Sequence, residues 1–417
     1  MPVAQRWTGG QYSVFRVCLA TYLFIHFIAL IPWAPEVFSG AGALTPASAS
    51  PLARLFPNIL SIYDAPAFVQ RLVAIGALAA IPLALGAFDR VAAVFLWYVW
   101  ACLLGRDPLI TNPSIPFVGW LLLAHTLVPR APYGSWAARD RADPRGGWTM
   151  PAGVLLAAWI VMSLGYTYGG VTKLVSPSWA DGTALAQVLG NPLARPTLLR
   201  EWLLALPGPI LKIATWSALA LELLFAPLVL SRRLRPWMWL SMLGMHLGLL
   251  VLVDFADLTF GMLLIHLFTF DPAWIPARGS ASTEVIFYDH TCALCHGAVR
   301  FVLSEAPEDH AFRFAPLQGE LFRESIPEHV RASLPDSIVI VASDGRVLTR
   351  SAAIRHVLAC AGGLWGVVAR VGTVLPRALL DAAYDGIARI RYSVFGRKGD
   401  ACPLVPAPLR SKFDLRA

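Results

Sequence analysis

The chain has 417 residues, of which 57% are apolar and 14% charged, with 15 Trp and a formal net charge of +8. Soluble domains carry roughly a quarter charged residues, so an ordinary soluble globule is excluded, as are a disordered chain, a collagen-like repeat and a small disulfide-stapled scaffold. The basic residues form no run, which argues against a nucleic-acid partner.

The shortage of charge is local. Residues 1–275 hold 17 Lys+Arg and 12 Asp+Glu, whereas the 142 residues from 276 onward hold 17 and 14. Only the second part approaches the soluble norm. Fourteen of the 15 Trp lie in the first part. This divides the chain into an α-helical membrane domain over 1–275, a linker over 276–283 and a C-terminal domain over 284–417.

A spanning helix needs about 20 mostly apolar residues. The pattern predicts a polytopic domain of about eight spans, roughly 11–33, 67–88, 90–106, 113–130, 151–174, 209–231, 235–253 and 257–275. The third and fourth are short, so seven and nine are also tenable. No small-residue cleavage site follows the first apolar run, which reads as an uncleaved helix. Arg130, Arg139, Arg141 and Arg145 precede the fifth span, and Arg232, Arg233 and Arg235 separate the sixth from the seventh. Basic short loops stay inside, which places the N-terminus and the C-terminal domain in the cytoplasm of a bacterial-type cell membrane. One span more or fewer moves the C-terminal domain to the other side.

Ionisable groups in lipid are costly. Arg16, His26, His125, Glu222, His246, Asp254, Asp257 and His266 read as interior polar groups or snorkelling side chains. The fifth span is more informative. Gly165, Gly169 and Lys173 stand four apart and share one helix face, where small residues admit a neighbouring helix. A desolvated ammonium there loses its proton more readily and can act as a base; a cation marking a helix end is the alternative.

The segment YGGVTKL at 168–174, followed by Trp179 and Gly182, resembles the lysine motif of the vitamin K-dependent gamma-carboxylase-like (HTTM) membrane domain. MHLGLL at 245–250, FGML leading into DPAW at 271–274, and ALELL around Glu222 are similar to later helices of that family. The resemblance implies a lysine base, Lys173, acting on a quinone or other lipidic ligand with Glu222 or His246 as polar partners. Asn112 has no neighbouring His and the large luminal domain is missing, which argues against gamma-glutamyl carboxylation of proteins.

From Glu284 the pattern changes. EVIFY is a short apolar strand, HTCALCHG follows, and AVRFVLS from Ala298 is helical. Strand, Cys-x-x-Cys, helix is the arrangement of an α/β thioredoxin-like redox domain. A thiolate at a helix N-terminus is stabilised by unpaired N–H groups and by the dipole. The spacing predicts an exposed nucleophile at Cys292 and a resolving thiol at Cys295, one turn inward. Zinc and inert packing are the alternatives. Zinc wants a second ligand pair, whereas Cys360 and Cys402 are isolated and His290 and His296 lie too near the motif, so no metal is expected. Further on, 312–317 predicts a second strand and 337–342 with 346–349 a hairpin around Gly345. Ser351 is expected to cap the next helix, which ends before Gly362. Pro335 is a candidate cis-proline facing the thiols, a loop proline being the alternative.

YDHTCALC at 288–295, FAPLQ at 314–318, SIVIV at 337–341, RSAA at 350–353, Pro376-Arg377, DAAYD at 381–385 and RIRY at 389–392 together resemble the DCC family of thiol-disulfide oxidoreductases. The resemblance implies a protein-disulfide reductase whose redox centre is Cys292 and Cys295, with Asp289 assisting proton transfer and Tyr288, His290 and Pro335 lining the site. His290 stands where the family usually has Gly. A turn needing positive φ is strained there, or the imidazole sits beside Cys292 and tunes it. Cys402 in the DACPL stretch also fits the family.

The resulting expectation is a membrane-bound thiol-disulfide oxidoreductase acting on a disulfide-containing protein or small thiol, coupled to a quinone in the bilayer. A cytosolic dithiol lives in a reducing pool, which favours a reductant over an oxidase. Two alternatives are a lipid- or quinone-modifying enzyme centred on Lys173 with the thiol domain as electron donor, and a non-enzymatic membrane scaffold or transporter.

Overall fold

The computed structural model describes residues 7–42, 48, 50–52, 55–279, 282–397, 407–414 and 416. Cys402 lies outside them. The chain divides into two compact units, one of Met1–Val14, Pro129–Met150 and Asp271–Ala417, the other of Phe15–Val128 and Pro151–Phe270. The change of composition near residue 275 therefore falls close to a boundary, while two short segments of the apolar half fold with the C-terminal unit.

Helices form at all eight positions predicted as spans: Gly9–Leu30 (α1), Pro66–Leu85 (α2), Asp89–Arg106 (α3), Ser114–Leu127 (α4), Ala152–Leu174 (α5), Gly208–Val229 (α6), Arg235–Leu252 (α7) and Ala256–Thr269 (α8). Their ends follow local chemistry. Pro66 opens α2, and Gly86 closes it at φ 68°, a left-handed conformation that glycine adopts without a steric penalty.

Among the described residues, four helices (α1, α2, α5 and α6) are long and apolar enough to cross a membrane. The other four of the eight expected spans are shorter or more polar. The 14 residues of α4 or α8 rise only about 21 Å, against a hydrocarbon core of about 30 Å. The 18-residue α3 carries Asp89, Arg90 and Arg106, and α7 dilutes its apolar stretch with Ser241, Gly244, His246 and Gly248.

Inside the helical unit α5 packs along α6. The close approach falls at Gly170, where a Cβ would lie 2.8 Å from the backbone nitrogen of Leu223. Gly165 instead faces the Phe117 ring, and Gly169 leaves room beside Glu222. The expected stripe of Gly165 and Gly169 is thus displaced by one residue at the helix contact. Several predicted interior ionisable groups meet a partner from another element. His26 Nδ1 lies 2.7 Å from Asp257 Oδ1, His125 Nε2 3.3 Å from Asp89 Oδ2, and Lys173 pairs with Glu222. Such pairing offsets the cost of polar groups in apolar surroundings.

The C-terminal unit contains a four-stranded mixed sheet of Glu284–Tyr288 (β1), Phe312–Pro316 (β2), Val339–Val341 (β3) and Val347–Thr349 (β4), in the order β2-β1-β3-β4. β1 runs parallel to β2 and antiparallel to β3, and β3 pairs antiparallel with β4, placing Ile286 opposite Phe314 on one side and Ile340 on the other. The parallel connection needs a crossover, supplied by Ala293–Glu305 (α9). Because β1 is central, its sequence is nearly all apolar.

Side chains alternate along the strands. Ile286, Tyr288, Phe312, Phe314 and Ile340 pack with Val299 and Val302 of α9 and with Ala353, Val357 and Cys360 of Arg350–Ala361 (α10). Phe287, Ala315 and Val339 form the opposite core with Ile326. The hairpin turns at Gly345, φ 78°. Ser351 does not cap α10, whose N-cap is Thr349; its hydroxyl reaches Asp381, and Asp381 Oδ1 also accepts the Ser351 N–H at 3.2 Å. Asp381 belongs to Arg377–Phe395 (α11), so the cap arrives from another helix.

Candidate active site

The dithiol sits where β1 ends and α9 begins. Cys292 is the N-cap of α9, in extended conformation, and its Sγ accepts the Cys295 N–H at 3.3 Å. The first turn of a helix has N–H groups without intrahelical partners, and here a sulfur takes one of them. Both thiols are free.

The predicted order of exposure is reversed. Cys292 is fully buried and Cys295 partly exposed. The Gly396–Arg397 segment lies against this turn: the Gly396 carbonyl accepts the Ala293 N–H at 3.3 Å, and Arg397 forms an isolated bridge with Cys292. Burial, together with the neighbouring Cys292 sulfur and the Asp289 charge, pushes the Cys295 thiol above its ordinary value. Cys295 therefore keeps its proton at neutral pH.

Asp289 organises the turn before the thiols. Its Oδ1 accepts the Thr291 N–H at 2.9 Å and the Thr291 hydroxyl at 2.8 Å, while the Tyr392 hydroxyl donates to Oδ2 and Arg391 lies 3.5 Å away. Burial opposes ionisation, but these hydrogen bonds and the Arg391 charge outweigh it and hold the carboxyl below the ordinary carboxylate range. Arg391 is itself buried and places one nitrogen 3.0 Å from both oxygens of Asp336, which precedes β3. A chain of charge thus runs from the thiol turn through α11 to the start of β3.

His290 stands in the same turn with no positive φ, so the strain anticipated there does not arise. Its carbonyl accepts a hydrogen bond from His296 Nε2 at 2.6 Å, and its own Nδ1 is buried without a hydrogen-bond partner. Tyr288 is buried at the end of β1, its ring 5.7 Å from that of His296. Pro335 is half-buried ahead of β3, and no described peptide bond is cis, so of the two readings of Pro335 the loop proline is the one that fits. Its neighbour Asp336 shares Arg391 with Asp289 of the thiol turn.

In the helical unit Lys173 meets Glu222 and also lies 5.0 Å from the centre of the Trp179 ring. His246 does not join them by hydrogen bond. Its Nε2 pairs with the Tyr166 hydroxyl at 2.8 Å, and that hydroxyl lies 3.4 Å from His266 Nε2. Tyr166 went unremarked in the sequence, although it stands on α5 among the residues flanking the lysine motif.

Arg391, Tyr392 and the Gly396–Arg397 segment were also missed as site residues. Arg391 and Tyr392 lie inside a family-like stretch, but nothing in their spacing shows that they reach back a hundred residues to Asp289. A cavity of about 430 Å³ opens elsewhere in the C-terminal unit, lined by Arg278, Arg346, Arg355, Arg370 and Arg377 among others, and neither Cys292 nor Cys295 borders it.

Comparison with known proteins supports the C-terminal reading. The DCC1-like thiol-disulfide oxidoreductase family matches residues 286–397. An uncharacterised Bacillus subtilis protein, YuxK, is 32% identical over 134 residues, covering 31% of this chain and 93% of that protein. The chloroplastic DCC family protein At1g52590 of Arabidopsis thaliana is 28% identical over 135 residues, 31% of this chain and 77% of its own length. No solved structure matches. The gamma-carboxylase-like resemblance of the helical unit rests on its residues alone. Through its C-terminal unit, the chain belongs to the DCC1-like thiol-disulfide oxidoreductase family.

Proposed function

We propose that the protein is a membrane-anchored thiol-disulfide oxidoreductase with a thioredoxin-like domain, in which Cys292 is the nucleophile and Cys295 the resolving thiol. One observation carries this reading: Cys292 Sγ caps α9 and accepts a backbone N–H, at the end of the central strand of a β2-β1-β3-β4 sheet. The cap aims a backbone N–H at that sulfur, whereas Cys295 retains its proton.

The division of labour follows. Cys292, as thiolate, attacks a substrate S–S bond, forms a mixed disulfide and releases the first substrate thiolate. Cys295 then loses its proton and attacks Cys292 Sγ, releasing the second substrate thiol. Two electrons pass to the substrate and a Cys292–Cys295 disulfide remains, to be reduced by an external dithiol. Asp289, held by Thr291, Tyr392 and Arg391, fixes the turn and keeps negative charge near Cys295. Substrate entry requires the Gly396–Arg397 segment to leave Cys292, because the sulfur is otherwise covered.

In this reading the four shorter apolar helices complete eight crossings, and basic short loops hold the dithiol in the cytoplasm, where the reducing pool makes it a reductant. The test is turnover of an aromatic model disulfide by the full chain in detergent with an excess of external dithiol. Turnover that vanishes in Cys292→Ser supports the proposal; a rate unchanged in that variant overturns it.

A second reading adds a quinone, and the Lys173–Glu222 pair favours it. A quinone taking two electrons and two protons from the dithiol yields a quinol and the Cys292–Cys295 disulfide, with Lys173 and Glu222 passing protons. It predicts that Lys173→Ala abolishes oxidation of the dithiol by a short-chain quinone while reduction of the model disulfide continues. Quinone-driven oxidation that survives Lys173→Ala removes Lys173 from the pathway.

A further inference from the structure

The opposite end of β1 carries a second cluster that the dithiol does not use. Glu284, the first residue of the strand, is 2% exposed, and around it converge His310 from the turn before β2 and His356 and Cys360 from α10, all of them buried. His356 Nε2 lies 2.7 Å and His310 Nε2 3.4 Å from the same carboxylate oxygen, Oε2, and Cys360 Sγ is 3.6 Å from His356 Nε2. The donor atoms of Glu284, His310 and Cys360 all lie within 4.8 Å of one another. Cys360 therefore does not stand alone: His356 is its i−4 neighbour on one helix face, and the other two groups arrive through the sheet.

The carboxylate has its hydrogen-bond partners, Oε1 accepting the Ser343 N–H at 3.2 Å and Oε2 facing both imidazoles, but the thiol shares the His356 nitrogen with it. His356 Nε2 faces the carboxylate and the thiol together, and one ring nitrogen cannot donate to the first while accepting a proton from the second. Cys360 is fully buried, so no solvent relieves that conflict. A cation removes the conflict, because every group then presents a lone pair.

The geometry points to a structural zinc site formed by Glu284, His310, His356 and Cys360. Tetrahedral zinc with Zn–N and Zn–O near 2.1 Å and Zn–S near 2.3 Å has ligand–ligand edges of about 3.4 Å for N–O and about 3.6 Å for N–S. The His310–Glu284 and His356–Cys360 separations match those edges; His356–Glu284, now a hydrogen bond, has to open by about 0.7 Å, and His356 has to close on the Glu284–His310–Cys360 group, which gathers within 4.8 Å without it. Carboxylate and thiolate neutralise the dication, and four protein ligands close the site, as structural zinc requires. Binding displaces the Cys360 proton, pins the start of β1 to the lead-in of β2 and to α10, and keeps this cysteine out of exchange with Cys292 and Cys295. The site does not depend on the proposed redox function.

The test titrates zinc chloride into the metal-free full chain in detergent, against a chromophoric chelator. One zinc per chain is expected in the wild type and in the Cys292→Ser/Cys295→Ser double variant, with affinity at least about tenfold weaker in Cys360→Ser and in His310→Ala. Zinc that disappears with the double variant and persists in Cys360→Ser belongs to the Cys-x-x-Cys motif and overturns the proposal, as does a wild type that binds none. Cobalt(II) added to the double variant guards against a ligand variant that merely fails to fold. A thiolate-to-cobalt charge-transfer band with tetrahedral visible absorption supports the site, and its absence overturns it.

Discussion

The dithiol turn and the Lys173–Glu222 pair are both small polar sites in apolar surroundings, yet they are built in opposite ways. At the turn, eight consecutive residues supply the strand end, the carboxylate, both thiols and the first helical N–H groups, so local sequence carries the chemistry. In the helical unit, the lysine and the carboxylate are 49 residues apart and meet because Gly170 lets α6 approach α5. One site is written along the chain and then covered from afar; the other exists only once two helices pack. Damage to the first should appear in reactivity, and damage to the second in stability.

The largest effect tests the local site. Cys292→Ser is expected to slow disulfide reduction by about a thousandfold or more, because no second nucleophile replaces it. Cys295→Ser should allow the attack and stall there, giving a mixed disulfide on Cys292 that mass spectrometry detects as an added substrate half. If Cys295→Ser instead turns over normally, the resolving role is wrong.

The next effect belongs to the helical pair. Lys173→Met leaves Glu222 largely buried and unpaired and should destabilise the helical unit by about 2–3 kcal/mol. Glu222→Gln should cost less, since the Lys173 side chain is 27% exposed and can turn to solvent. Thermal unfolding in detergent measures both; equal losses would mean that the two sites do not differ in the way described.

Asp289→Asn bridges the comparison, since a local carboxylate is held by a distant helix. Losing charged hydrogen bonds to Tyr392, Thr291 and Arg391 is expected to cost about 1.5–3 kcal/mol at pH 7. The folded carboxyl titrates below its unfolded value. Its contribution is therefore present above the ordinary carboxylate range and is lost as pH falls through the lower folded value. Wild type and Asp289→Asn should converge in denaturant midpoint as the buffer is taken from pH 7 toward pH 3, and a gap that widens over that range would contradict the assignment.

The smallest effect is Gly170→Ala. A Cβ there would sit 2.8 Å from backbone, so α6 must shift, at a cost of about 1 kcal/mol or more. The variant should lower the unfolding temperature of the helical unit and leave disulfide reduction by Cys292 unchanged.

Much of this protein is legible in the chain because the signals are short-range. Apolar runs place all eight helices within about six residues of their ends, and EVIFY, the Cys-x-x-Cys spacing and Ser343-Asp344-Gly345 mark the strand, the redox motif and the hairpin turn. Periodicity and turn chemistry act over a few residues, so a sequence reports them directly. Other features escape for the same reason. The Gly396–Arg397 segment that meets Cys292, the Asp381 that caps α10 and the Tyr166 that partners His246 are none of them neighbours in sequence. Reading Cys360 as isolated fails likewise, because Glu284 and His310 approach it only through the sheet.

The sequence by itself determined where charge is scarce, which segments are helical and which two thiols flank a helix start, since composition, period and spacing are properties of the chain alone. The tertiary structure decided which thiol is covered, which ion pairs form and which buried groups share one point in space. Those depend on contacts across tens to hundreds of residues, where packing and desolvation, rather than local preference, select the partner.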